Sequence, residues 1–110
     1  MATVSSHILD SVTGKSAAGI RCQLFRLADD ARQTVFDVQA DAEGRIVETV
    51  DIDADNLGSE FELVMHAADY FNAGNATVSC VVIRFCIDDA SRRYHMPVML
   101  APHSYSTWWS

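Results

Sequence analysis

Arg92-Arg93-Tyr94-His95-Met96-Pro97-Val98-Met99-Leu100-Ala101-Pro102-His103-Ser104-Tyr105-Ser106-Thr107-Trp108-Trp109-Ser110 is the stretch to which the rest of the sequence answers. Side chains alternate between the two faces of a β-strand, so residues i, i+2 and i+4 share a face. Read at that period, the stretch makes two strands around the corner Ala101-Pro102-His103. Tyr94, Met96, Val98 and Leu100 share one face, with His95, Pro97 and Met99 opposite. On the second strand Ser104, Ser106, Trp108 and Ser110 share a face, with Tyr105, Thr107 and Trp109 opposite. One face is built for a core. The other mixes a histidine, hydroxyls and an indole, an unusual set for a solvated surface.

Working outward, 110 residues with 49% hydrophobic content fit one domain, residues 1–110, with an ordinary core. At this length roughly two-thirds of the unfolded surface can be buried. No segment has the apolar length needed to cross a bilayer, so no membrane partner is expected. Met1-Ala2-Thr3-Val4-Ser5-Ser6 has no basic region followed by an apolar block, which makes a cytoplasmic location the expectation. A formal net charge of −7 argues against nucleic acid, whose phosphates need a basic footprint. Arg92-Arg93 follows Asp88-Asp89 and reads as a neutralised turn. Cys22, Cys80 and Cys86 form no C-x-x-C pair and read as reduced, half-buried thiols.

Several further stretches alternate like the first. Thr3 to Asp10 sets Val4, Ser6 and Ile8 against Ser5, His7 and Leu9. Ile20 to Leu27 and Gln33 to Ala40 follow, joined by the polar turn Asp29-Asp30-Ala31-Arg32. A turn over Asp41 to Gly44 delivers Arg45 to the next strand, which runs to Val50. Asp51 to Gly58 is an acidic loop, Glu60 to His66 a strand, and Ala67 to Ala73 a short helix capped at Gly74. Thr77 to Ile87 is the longest β-branched run and reads as a central strand. Short strands with frequent turns predict an all-β sandwich. Sandwiches host carriers, adhesins and enzymes alike, so the fold leaves function open.

The end run from Tyr94 to Thr107 resembles the transthyretin-like family, most closely its 5-hydroxyisourate hydrolase branch. Those proteins carry Tyr-His-x-Pro-x-x-Leu-x-Pro-x-x-Tyr-Ser-Thr near their ends. The resemblance extends to His7-Ile8-Leu9-Asp10, to the turn Asp41-Ala42-Glu43-Gly44-Arg45, and to Phe61-Glu62-Leu63-Val64 with Asp69-Tyr70-Phe71. It implies a transthyretin-like sandwich of two four-stranded sheets with one short helix. It also implies a homotetramer, a dimer of dimers, with sites in the channel between dimers.

The same resemblance places His7, Arg45 and His95 at the family's catalytic histidine, arginine and histidine. Ring-opening of 5-hydroxyisourate by water needs a base for the water proton and a donor for the departing nitrogen. Histidine suits both, its unperturbed pKa lying near 6.5. A developing oxyanion or anionic ring needs a fixed cation, and arginine does not deprotonate. Which histidine does which stays open at this level. The expectation is that these groups, from three separate strands, converge in one cleft walled by an indole. His66 and His103 read as structural or surface groups, and His66 stands where the family often has an acid. No close metal-ligand spacing joins the four histidines, so neither a metal nor a cofactor is expected. Ser106 sits in the Tyr-Ser-Thr run, but no G-x-S-x-G elbow makes it a nucleophile.

The last residues depart from the pattern. Family hydrolases finish Ser-Thr-Tyr-Arg-Gly-Ser, whereas here the order is Ser106-Thr107-Trp108-Trp109-Ser110. A phenol and a cationic fork give way to indoles, large flat surfaces with one donor each. Ser106, Trp108 and Ser110 are therefore the expected substrate-binding residues. Trp108 would stack on a purine-derived ring, and an N-methylated 5-hydroxyisourate from methylxanthine breakdown fits that apolar wall. The competing expectation is a non-catalytic transthyretin-like protein that binds a small aromatic ligand. A carrier has no need of His7, Arg45 and His95 together.

Overall fold

The computed structural model describes residues 1–72 and 76–109. Among these residues the chain runs β1 (Ala2–Asp10), β2 (Lys15–Ser16), β3 (Arg21–Ala28), β4 (Ala31–Gln39) and β5 (Arg45–Val50). It continues through β6 (Glu60–Met65), α1 (Ala67–Phe71), β7 (Val81–Cys86), β8 (Arg93–His95), β9 (Val98–Leu100) and β10 (Tyr105–Thr107).

β1 organises the first sheet because its two faces differ as the alternation predicts. Ala2, Val4, Ser6, Ile8 and Asp10 are buried, while Thr3, His7 and Leu9 on the other face stay partly open. Along one side β1 pairs antiparallel with β5 and then with the short β2; along the other it pairs parallel with β8 and then β9. β8 and β9 keep one register offset against β1, so they are a single strand interrupted at Met96-Pro97. Proline has no N–H to give a ladder, which accounts for the gap. β10 pairs antiparallel with β9. Six segments thus occupy four strand positions, with β1 and β8/β9 in the middle.

The second sheet has the order β4-β3-β6-β7, antiparallel throughout. Its inward residues Cys22, Leu24, Phe61, Leu63, Met65 and Val81 meet Val4, Ile8, Tyr94, Val98 and Leu100 from the first sheet in one core. Fully burying each large apolar side chain contributes about 1.5–3 kcal/mol before chain entropy is charged against it. Tyr94, Met96, Val98 and Leu100 are all buried, so the core face read from the end run is the core face found. Beside Ser6, Asp10 is a buried polar residue of that inward face. Its carboxylate accepts the backbone N–H of Val12 at 2.8 Å and the Tyr70 hydroxyl at 3.0 Å, tying α1 to β1.

Two expectations are corrected. β7 is confined to Val81–Cys86 and lies at a sheet edge, where Val82 is 46% exposed and Arg84 and Cys86 also face outward. A β-branched run reports fit to a pleated surface, at an edge as readily as at a centre. The helix stops at Phe71, where Asn72 takes the left-handed conformation (φ 49°) and its N–H returns to the carbonyls of Ala68 and Asp69. Asparagine tolerates that conformation and so ends the helix two residues before Gly74, which lies outside the described residues. Among the described residues no helix is long and apolar enough to cross a membrane.

Candidate active site

The outer face of the first sheet collects the chemistry, and strand register does the collecting. His7 on β1 stands directly opposite Arg45 on β5. One step along the same face, Ser5 stands between Val47 on β5 and His95 on β8. One step the other way, Leu9 is opposite Met99 of β9, which is opposite Ser106 of β10. Directly opposite residues have Cβ atoms about 5 Å apart, and diagonal neighbours remain within reach of long side chains. His7, Arg45 and His95 therefore share one small patch, with Ser106 two residues along.

The Asp41–Arg45 turn presents Arg45. The Asp41 carboxylate accepts the backbone N–H groups of Glu43 at 2.9 Å and Arg45 at 3.0 Å. Those bonds, Arg45's first, hold the Asp41 carboxyl below the usual carboxylate range. Among the described residues the guanidinium forms one ion pair, with Glu43 at 3.9 Å, and its side chain is 48% exposed. Such a loose surface pair holds it weakly and leaves it free for an anion.

His95 is fixed from behind. Ser5 Oγ lies 2.8 Å from His95 Nδ1, and Arg93 Nε–H donates to the same oxygen at 3.1 Å. Arginine can only donate, so it occupies the serine oxygen as acceptor. The oxygen keeps a second lone pair, so Nδ1 can meet the hydroxyl as acceptor or as donor; where the hydroxyl donates, a neutral His95 carries its own proton on Nε2. Burial lowers the His95 pKa from its ordinary value, and the positive fields of Arg93, Arg45 and His7 lower it further. A neutral imidazole with Nε2–H outward is a hydrogen-bond donor.

Sequence reasoning missed Ser5 and Arg93. Ser5 was legible as a residue on the face of His7, but its bond to His95 spans 90 positions and depends on the parallel register. Arg93 was read as half of a neutralised turn. Instead it begins β8 and turns to the site.

The other residues fall as follows. Trp109 packs edge-on against Tyr94 with ring centroids 5.7 Å apart, and the Arg92 guanidinium lies 4.6 Å above its ring. Trp108, the next residue back, is 47% exposed just past β10. Ser110 lies outside the described residues. Among the described residues the patch lies on the outer face of the first sheet, with His7 and His95 partly buried and Arg45 exposed. Two concavities of the chain, one lined by Gln33, Thr49 and Phe61 and one by Asp29, Glu60 and Arg84, include none of the three groups. His66 hydrogen-bonds Gln23 and His103 hydrogen-bonds Thr77, both away from the patch. Among the described residues no three of His, Cys, Asp and Glu gather as a metal site.

This geometry has counterparts among known proteins. The sequence matches the HIUase/Transthyretin family over residues 4–109. The chain belongs to that family. A Rhizobium meliloti (strain 1021) protein named 5-hydroxyisourate hydrolase 2 is 35% identical over 111 residues, covering 96% of this chain and 92% of its own. The 5-hydroxyisourate hydrolase of Deinococcus radiodurans is 34% identical, with 96% and 92% covered. The structure of Klebsiella pneumoniae 5-hydroxyisourate hydrolase superposes with a TM-score of 0.82 at 25% identity, covering 100% of this chain and 99% of that one. The transthyretin-like sandwich expected from the sequence is the fold observed.

Within this HIUase/Transthyretin family chain, the field of Arg93 on His95 has a measurable consequence. Arg93→Met removes one of the cations that disfavour the imidazolium, so the His95 titration midpoint moves up. It stays below 6.5, because burial is the larger cause and remains. Proton NMR of the imidazole reads this directly, and an unmoved midpoint would take Arg93 out of the site.

Proposed function

We propose that the protein is a hydrolase that opens the six-membered ring of 5-hydroxyisourate or an N-methylated analogue, a step of purine or methylxanthine degradation. The observation that carries this reading is the registered patch: Arg45 opposite His7, with His95 beside them in contact with Ser5. His7 takes a proton from water, and the water oxygen attacks the ring carbonyl carbon. The tetrahedral oxyanion is met by the outward Nε2–H of His95, while Arg45 holds the anionic ring. The carbon–nitrogen bond then breaks, and the nitrogen leaves with the proton that His7 returns. His95 is the donor because its Nδ1 is already engaged by Ser5. No cofactor or metal takes part.

Substrate preference rests on the far end of the patch. Ser106 offers a hydroxyl and Trp108 an indole face for a ring whose nitrogens carry methyl groups; Ser110 is the third contact expected from the sequence. Exposed Val47, Met99, Tyr105 and Trp108 border the open face or lie close to it. A second dimer closing over that face, in a homotetramer, would turn it into a water-poor channel. Three free cysteines suit a reducing, cytoplasmic location.

The test generates methylated and unmethylated 5-hydroxyisourate in place with an oxidising enzyme and follows ultraviolet decay against the spontaneous rate. Acceleration of both, with kcat/KM higher for the methylated ring, is the expected result. Faster turnover of the unmethylated ring would remove the stacking role of Trp108. Tight binding without acceleration would make the protein a carrier.

A further inference from the structure

A second ordered group of polar side chains lies on the other sheet, where the hydrolase reading has no use for it. Arg21 grips the Asp37 carboxylate with two bonds, Nε–H to Oδ1 at 2.9 Å and an outer N–H to Oδ2 at 2.6 Å. Gln23 donates its amide N–H to Asp37 Oδ2 at 3.2 Å. A carboxylate only accepts here, so the amide orientation of Gln23 is fixed and its carbonyl Oε1 must face His66 Nε2, 2.7 Å away. His66 Nε2 is therefore the protonated nitrogen. Its Nδ1 lone pair is left facing Cys80 Sγ at 3.7 Å. The run of bonds ends on a thiol with a base beside it.

The other two cysteines supply the contrast. Cys22 is fully buried, and burial pushes its pKa up to about 12. Cys86 is exposed, but its S–H donates to the Gly58 carbonyl at 3.1 Å, a partner that cannot take a proton. Cys80 is only partly exposed. It alone faces a basic nitrogen whose tautomer is set by a chain of three further residues.

We infer that Cys80 is a nucleophilic thiol and a modification site for small-molecule disulfides, with His66 as its base. In the step, His66 Nδ1 takes the Cys80 proton while the sulfur attacks one sulfur of the disulfide. A new sulfur–sulfur bond forms at Cys80 and the old one breaks. The departing thiolate takes the proton back from His66 and leaves as a thiol. The small disulfide is the oxidant, half of it being reduced, and Cys80 ends as a mixed disulfide. Arg21 and Asp37, with Asp69 of α1 adding to the field on Arg21, anchor the far end of the relay.

The test incubates the intact protein at neutral pH with a symmetrical small-molecule disulfide and follows each cysteine by peptide mass spectrometry. Cys80 is modified first, Cys86 later and Cys22 only after unfolding. In His66→Asn the Cys80 rate falls roughly tenfold, less than the general-base range of enzyme sites because neither of the two concavities described above includes Cys80 to hold the disulfide, and the Cys86 rate is unchanged. Gln23→Leu, which frees the imidazole to change tautomer, gives a smaller loss at Cys80 alone. Exposure by itself would put Cys86 ahead of Cys80, and that order in the unaltered protein overturns the inference even if the variants fail to fold. So does an unchanged Cys80 rate in folded His66→Asn.

Discussion

Replacing His7 by Gln should lower kcat for ring opening by about 10²–10⁴, the span that a positioned general base supplies. On the transition-state scale this is about 3–5 kcal/mol. The amide of glutamine cannot accept and return a proton, so the loss should fall on kcat with KM nearly unchanged. His95→Gln is the discriminating partner. If His95 only donates a hydrogen bond from Nε2, an amide N–H replaces part of that function, and the loss should stop near tenfold. If His95 were the base, the two variants would exchange magnitudes. Circular dichroism keeps the comparison fair, since His7 and His95 both lie on the outer face and neither fills the core.

The different roles proposed for the two histidines rest on strand register. Period-two alternation identified the core face of β8 and β9 and placed His7 opposite the interior, because burial is a property of each strand alone. Resemblance supplied His7, Arg45 and His95 as a set. Neither could align the strands. That Arg45 pairs with His7, and that His95 pairs with Ser5, depends on register between segments 38 and 90 residues apart. With the register known, Ser5 changes from an ordinary strand serine into the partner of His95 Nδ1. Arg93 changes from a turn charge into a field acting on an imidazole.

The misread segments fail for the same cause. Thr77 to Ile87 carries the β-branched composition of a central strand, and composition does not say how many neighbours a strand has. β7 has one among the described residues, β6. His66, by contrast, reads as a structural or surface residue, and its hydrogen bond to Gln23 agrees with that reading. Its bonds to Gln23 and Cys80 cross 43 and 14 positions of sequence.

Gly44→Ala should be the most damaging alanine substitution among the described glycines, and it links the fold to the site. Gly44 has φ +71°, a conformation that costs an L-residue about 1–2 kcal/mol. A Cβ there would also stand 2.5 Å from the Ile8 carbonyl oxygen, 3.0 Å from the Ala17 nitrogen and 3.1 Å from Ser16 Cβ. Two of those atoms are backbone, so no side-chain rotation relieves the contact. The same place carries the ladder bonds Ile8 N–H to Gly44 O at 2.8 Å and Ala17 N–H to Ile8 O at 2.9 Å. Moving the chain apart loosens β5 and β2 from β1 together, and displaces Arg45 from its position opposite His7. Strain plus weakened ladder bonds should total about 3 kcal/mol, or roughly 12–24 °C in Tm for a domain of this size. Well below the lowered Tm, kcat/KM should still be reduced, because Arg45 is out of register with His7. Gly58→Ala is the control: φ is +87° there but nothing lies within 4 Å of the added carbon. It should lose only the conformational 1–2 kcal/mol and keep full activity. Equal melting temperatures for the two variants would show that the approach to Ile8 relaxes without cost, and would detach the Gly44 turn from the geometry of the site.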